Sequence, residues 1–192
     1  IEFSIFGGTP CVHQKVTIQI SKGCRILGYC KVTDSHEVAA LFRSEADLLE
    51  HLKRQGMEGV PQALFCGELM EGVFLFLQNT TKTRQSKVLH EWSNLHEHFL
   101  NELQRKTVQN ITFEKSDYYR VVQGLQSHMD WLPEFMNRNV IEKTINKIVN
   151  SYKGQVVGFS AYHADFTPWN MFVEKNRLFV FDWEYTRTTY PP

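Results

Sequence analysis

The sequence predicts an α+β fold in two lobes, residues 1–79 rich in strands with one helix and residues 80–192 mostly helical. Two observations predict it. Short runs with an alternating polar–apolar period crowd the first third of the chain. From about Thr80 the apolar residues switch to three- and four-residue steps. The length, 192 residues, is enough for one compact domain or for two small lobes sharing a cleft.

Phe3 to Phe6 is a short apolar run closed by the turn cluster Gly7-Gly8-Thr9-Pro10. Lys15-Val16-Thr17-Ile18-Gln19-Ile20 alternates in the manner of a half-buried strand, Ser21-Lys22-Gly23 supplies a hairpin turn, and Arg25 to Val32 reads as the next strand. Asp34 or Ser35 caps a helix whose apolar positions Val38, Leu41, Leu48, Leu49 and Leu52 share one face as far as Gly56. Ala63 to Cys66 and Val73 to Leu77 form a second hairpin around Gly67-Glu68-Leu69-Met70-Glu71-Gly72. Val88, Leu89, Trp92, Leu95, Phe99, Leu100 and Leu103 predict a long amphipathic helix over 86–107, with further helices over 118–129 and 140–152. Met171-Phe172-Val173 and Leu178-Phe179-Val180-Phe181 flank Glu174-Lys175-Asn176-Arg177 as a last hairpin.

Hydrophobic residues make up 42% of the chain and charged residues 22%, which places it among ordinary globular proteins. Lys plus Arg balances Asp plus Glu at 21 each, so no nucleic-acid or anionic-membrane partner is expected, and any attraction for a phosphate compound must be local. No segment approaches the roughly 18 unbroken apolar residues of a membrane span, and no signal peptide is visible. Cys11, Cys24, Cys30 and Cys66 contain no C-x-x-C pair, and neither a disulfide framework nor a zinc site is expected; reduced cysteines imply a cytoplasmic protein. On that reading the sequons at Asn79 and Asn110 carry no weight.

The chemistry concentrates in Tyr162-His163-Ala164-Asp165-Phe166-Thr167-Pro168-Trp169-Asn170 and Phe181-Asp182-Trp183-Glu184. Asp165 follows His163 by two residues and precedes Asn170 by five, and Asp182 lies twelve beyond Asn170 with a predicted hairpin between. This is the spacing of a phosphoryl-transfer catalytic loop, in which an acid receives the hydroxyl proton and an Asn and an Asp ligate magnesium. Phosphoryl transfer requires positioning and charge neutralisation more than covalent work, and magnesium prefers the hard oxygens that Asp182 and the Asn170 amide offer.

HADFTPWN followed by FDWE resembles the aminoglycoside phosphotransferase and choline kinase-like superfamily, in which His-Gly-Asp-Phe-x-x-x-Asn precedes Asp-Trp-Glu. Ala164 stands where that pattern has glycine, a small-for-small change. The resemblance implies a two-lobed protein-kinase-like fold, ATP and Mg2+ as cofactors, and a small-molecule acceptor. It gives Asp165 the role of catalytic base, Asn170 and Asp182 that of metal ligands, and His163 that of a brace for the loop. It also implies a lysine on the third strand and a glutamate in the helix that follows. Lys31, the charge ending Ile26-Leu27-Gly28-Tyr29-Cys30, fits the first as a contact to the α- and β-phosphates. Glu45, heading Glu45-Ala46-Asp47-Leu48-Leu49, is preferred for the second over its rival Glu50.

Other expectations are less pointed. Gly7 and Gly8 lie where a phosphate-covering loop belongs, yet without G-x-G-x-x-G they serve equally well as a hairpin turn. Gln78 and Asn79 fall at the connector between lobes, whose backbone the resemblance assigns to the adenine edge. Trp169 and Trp183 are expected to pack around the catalytic loop, and His90, His96 and His98 to lie on a solvated helix face. Asp117, Tyr118, Tyr119, Asp130 and Trp131 are open between substrate contact and plain core or surface. Members of the resembled group continue well past Asp-Trp-Glu, so the C-terminal part is expected to be truncated. The expected activity is phosphoryl transfer to a hydroxyl of a sugar, an aminoglycoside or an amino alcohol; the alternative is a non-catalytic nucleotide-binding or scaffolding protein on the same fold.

Overall fold

The computed structural model of the chain describes residues 1–8, 13–83 and 85–191. Cys11 and the centre of the proposed phosphate loop, residues 9–12, lie outside the described residues. The chain divides into two compact units, Ile1–Glu102 with His163–Thr186, and Leu103–Tyr162 with Arg187–Pro192.

In the first unit the alternating runs become β1 (Glu2–Phe6), β2 (Val16–Lys22), β3 (Arg25–Thr33), β4 (Ala63–Met70) and β5 (Val73–Asn79). They form one antiparallel sheet in the order β1-β2-β3-β5-β4. Lys22 pairs with Arg25 across Gly23-Cys24, and Gly23 has φ 58°, the sign that a two-residue hairpin turn demands. The β4–β5 turn is shorter than the sequence indicates, because β4 runs on through Met70 and only Glu71-Gly72 remain outside the ladder.

Helix α1 (His36–Arg54) starts where Ser35 Oγ accepts the Val38 N–H at 3.4 Å, and it carries Glu37 in its first turn and Lys53 and Arg54 in its last, as the helix dipole favours. Its buried face, Val38, Phe42, Leu48, Leu49 and Leu52, packs on β4 and β5, and the Phe42 ring lies 6.0 Å from that of Phe76. Glu45 lies on the same buried face.

The helix expected over 86–107 begins only at Asn94: α2 is Asn94–Thr107. Upstream, the Ser86 hydroxyl donates to Glu174 Oε2 at 2.5 Å and Lys87 bridges to Val173 in extended conformation. Long-range pairing thus overrides the local helical period. At the true start the Ser93 N–H donates to His96 Nδ1 at 3.0 Å, the reaching-back half of a capping box with histidine in the usual Glu position. His96 is therefore buried, not part of a solvated face.

Strands β8 (Met171–Glu174) and β9 (Arg177–Val180) form the expected hairpin, joined by Lys175-Asn176 with φ of 50° and 60°. The hairpin is fixed to the loop after α1: Val180 N–H donates to Gly59 O at 2.8 Å and Arg177 pairs with Glu58. Gly59 has φ 73°, and a Cβ there would run into the Leu178 carbonyl oxygen, so only glycine fits.

The second unit holds the end of α2, β6 (Gln109–Thr112), α3 (Asp117–Ser127), α4 (Arg138–Tyr152), β7 (Val156–Tyr162) and β10 (Arg187–Tyr190). Its antiparallel sheet, in the order β10-β7-β6, is absent from the sequence reading. The three strands are far apart in sequence and two have only four residues, too few to show a period. Asp117 is structural: its Oδ2 accepts the Thr189 hydroxyl at 2.9 Å, tying α3 to β10. Among the described residues no helix is long and apolar enough to cross a membrane.

Lys175 occupies the left-handed region that asparagine tolerates better than lysine. Lys175→Asn should stabilise the chain by about 0.5–1 kcal/mol, read as a higher urea midpoint at unchanged m-value.

Candidate functional site

The site lies within the first unit, where β3, α1 and the segment after β9 meet. Lys31 is on β3, flanked by Thr17 of β2 and Phe76 of β5, and is almost fully buried. Its ammonium donates to Glu45 Oε2 at 2.7 Å and to Asp182 Oδ1 at 2.7 Å, and lies 3.8 Å from Glu184 Oε2. Glu45, 0% exposed, uses its second oxygen to accept the Trp183 N–H at 3.2 Å. The rival Glu50 is exposed and faces Lys53.

Burial by itself would lower the Lys31 pKa, but Glu45, then Asp182 and Glu184, outweigh it and hold the ammonium above the ordinary lysine value. Burial disfavours ionised Asp182, yet Lys31 beside it keeps the carboxyl below its usual range. Oxygens of Glu45, Asp182 and Glu184 lie within 4.8 Å of one another, a spacing that would suit a metal ion. The Lys31 ammonium already stands among them, so that triad is a lysine site.

Asp182 reaches Lys31 because its backbone turns at φ 68°, the left-handed region in which Asp is among the tolerated residues. Just before it, Phe181 N–H donates to Asn170 O at 3.0 Å, which brings the end of β9 beside the 3-10 turn Pro168–Asn170. The Asn170 amide nitrogen donates to Asp165 Oδ2 at 2.7 Å and to Asp165 O at 3.1 Å. Both amide hydrogens are thereby used and the amide oxygen is left without a protein donor among the described residues.

His163, 2% exposed, joins the two segments. Its Nδ1 accepts the Asp165 N–H at 3.3 Å, so the ring hydrogen sits on Nε2, which donates to Phe181 O at 3.0 Å. Burial pushes the His163 pKa below the ordinary imidazole value, with the Phe181 carbonyl partly opposing. Trp183, 1% exposed, lies edge-on to this ring at 4.4 Å. Trp169 does not join it: at 71% exposure it faces solvent, because the 3-10 turn directs Asn170 inward and its neighbour outward.

No known protein-family profile matches the chain, and no curated protein sequence matches it. Solved structures do. The APH(2")-IIa complex with streptomycin and ATP aligns at a TM-score of 0.60 and 16% identity, over 100% of this chain and 68% of that one. A thermostable mutant of aminoglycoside phosphotransferase APH(4)-Ia, in apo form, gives 0.59 and 11%, over 98% and 69%. Choline kinase LicA from Streptococcus pneumoniae gives 0.54 and 13%, over 98% and 65%. The chain has the kinase-like fold of the aminoglycoside phosphotransferases and choline kinase. Identities this low speak for the fold alone.

Within this kinase-like fold the remaining expected residues fall as follows. Gly7 and Gly8 follow β1, and Gln14 Nε2 donates to Gly7 O at 3.0 Å. Gly8 has φ 70°, and a Cβ there would crowd Lys15 O. Gln78 and Asn79 end β5 with their main chain paired to neighbouring strands, so the free connector begins at Thr80. Asn79 Oδ1 accepts the Gln62 N–H at 2.7 Å, whereas Gln78 Oε1 is buried without a partner among the described residues. Two charged residues had no role in the sequence reading: Lys15 and Glu184, joined at 2.5 Å. A lone lysine between a turn and a strand, and the final residue of Asp-Trp-Glu, were the available signals. Ala164 is not a neutral exchange for glycine, since its φ of 71° lies where a Cβ is strained.

Two outcomes are expected from this geometry. Ala164→Gly should raise stability by about 0.5–1 kcal/mol, relief of the left-handed strain exceeding the added chain entropy, as measured by chemical denaturation. His163 is neutral when folded and protonates more readily when unfolded, so the unfolded chain binds more protons in acid. Its contribution is complete above a pH of about 6.5 and should decline below that by up to ~1.4 kcal/mol per pH unit. His163→Asn should lower stability at pH 7.5 and flatten this acid limb; parallel pH profiles for parent and variant would refute the assignment.

Proposed function

We propose that the chain is an ATP- and Mg2+-dependent phosphotransferase that moves the γ-phosphoryl group to a hydroxyl of a small molecule: a sugar, an aminoglycoside or an amino alcohol. The observation that carries this reading is the linkage of Asp165, Asn170 and Asp182 through the Asn170 amide and the Phe181–Asn170 backbone bond, next to a charged Lys31. The fold shared with aminoglycoside phosphotransferases and choline kinase supports it.

Asp165 is the catalytic base. One of its oxygens accepts from Asn170 and the other has no protein donor among the described residues, which leaves it free to take the acceptor's hydroxyl proton. His163 holds the loop that carries it. Lys31, oriented by Glu45, contacts the α- and β-phosphates. The donors present fit a magnesium ion: the Asn170 amide oxygen is directed away from Asp165, and Asp182 has a second oxygen without a protein donor among the described residues. Such an ion, when bound, offsets negative charge on the phosphoryl oxygens. Asp182 would hold it, with Asn170, while Lys31 turns to the nucleotide. Residues 1–79 serve the nucleotide, with Gly7 and Gly8 over the phosphates and Gln78 and Asn79 leading into the connector, which from Thr80 lies beside the adenine; residues 80–192 serve catalysis and acceptor. A cytoplasmic setting accords with free thiols at Cys24, Cys30 and Cys66.

ADP release against a panel of sugars, aminoglycosides and amino alcohols tests this. Asp165→Asn should lower turnover by about 10²–10⁴-fold while MgATP still raises the melting temperature, and Asp182→Asn should abolish most of that rise. Stabilisation by MgATP with no turnover on any acceptor would instead leave a nucleotide-binding protein.

A further inference from the structure

Two lysines at the site share one carboxylate oxygen. Lys15 Nζ is 2.5 Å from Glu184 Oε2, and Lys31 Nζ is 3.8 Å from the same atom. These distances put the two ammonium groups within about 6 Å of each other, where like charges repel unless an anion lies between them. Glu184, 4% exposed, is that anion. Lys31 is enclosed, whereas the Lys15 side chain retains 18% exposure and so can be reached by a solute.

The sequence around Lys15 adds a second argument. Lys15 directly precedes β2, at the end of a segment without the glycine pattern that would cradle phosphates with backbone N–H groups. A side-chain cation next to β2 can supply positive charge that this sequence pattern does not encode. The Lys15 ammonium is held by Glu184, two residues past Asp182.

We infer that Lys15 is a second phosphate-contacting lysine, and that Glu184 is the positioning residue that holds its ammonium beside that of Lys31. The ligand class is a nucleoside di- or triphosphate. The inference rests on the phosphotransferase reading and extends it to residues that the motif leaves without a role.

Calorimetric titration of the full chain with MgATP, MgADP and adenosine tests it. Lys15→Met should weaken MgATP and MgADP by about ten- to a hundred-fold, the loss of one charge-assisted hydrogen bond, and leave adenosine within about two-fold. Lys15→Arg should restore most of the phosphate-dependent affinity. In a Glu184→Gln background the Lys15→Met step should cost well under half as many fold, because the lysine is no longer held in place. If Lys15→Met does not fold, Lys15→Gln, of similar length and without charge, takes its place. Unchanged MgATP affinity in the lysine variants, or equal losses for MgATP and adenosine, would make the pair a structural latch and overturn the inference alone. A parent chain that binds none of the three would overturn the phosphotransferase reading with it.

Discussion

The buried ammonium of Lys31 is the constraint on which the first unit depends. A lysine inside a protein is tolerable only when its charge is matched, and leaving one member of such a group unmatched costs about 3–5 kcal/mol. Here the matching groups come from three places: Glu45 from α1, Asp182 from the exit of β9, and Glu184 just beyond. β3, α1 and the β8–β9 hairpin are therefore not free to find their positions separately. Glu45 tightens the arrangement by accepting from Lys31 with one oxygen and from the Trp183 backbone with the other.

A second set of ties acts on the chain around Asp165, and it works through main-chain geometry. His163 takes the Asp165 N–H and gives its own hydrogen to Phe181 O, while Asn170 is held by Asp165 on one side and by Phe181 on the other. Residues 163, 165, 170 and 181 thus form a closed ring of hydrogen bonds. Ala164, at positive φ between His163 and Asp165, is the strained turn within the ring, and Asp182 turns the chain at positive φ just beyond it. Strain at these positions is sustained by buried neighbours: the His163 ring lies against Trp183, and Phe99 stacks on Phe166.

These two networks meet at Asp182, which belongs to the lysine cluster through its side chain and to the ring through its neighbour Phe181. A charged ligand entering there would redistribute partners instead of creating a site from nothing. On the proposed phosphotransferase reading, the new partners are phosphate for Lys31 and a hard cation for Asp182. Glu45 and His163, more deeply buried, would hold the frame during that exchange.

Local sequence was enough to place the strands of the first sheet, though not the full length of β4, and to give α1 with its cap at Asp34 or Ser35, the β8–β9 hairpin and the residue types from His163 to Asn170. Each follows from a period, a cap or a turn read within a few residues. Tertiary structure decided the rest. It delayed the start of the helix expected over 86–107 to Asn94, because Ser86 and Lys87 found partners on β8 that no local window contains. It assembled β6, β7 and β10 from three distant segments. It also turned Trp169 outward and brought Lys15 onto Glu184 across 169 residues of chain. Local pattern can specify which side chain is present and which way a short element folds. Which charges come to share an oxygen depends on the packing of the whole unit.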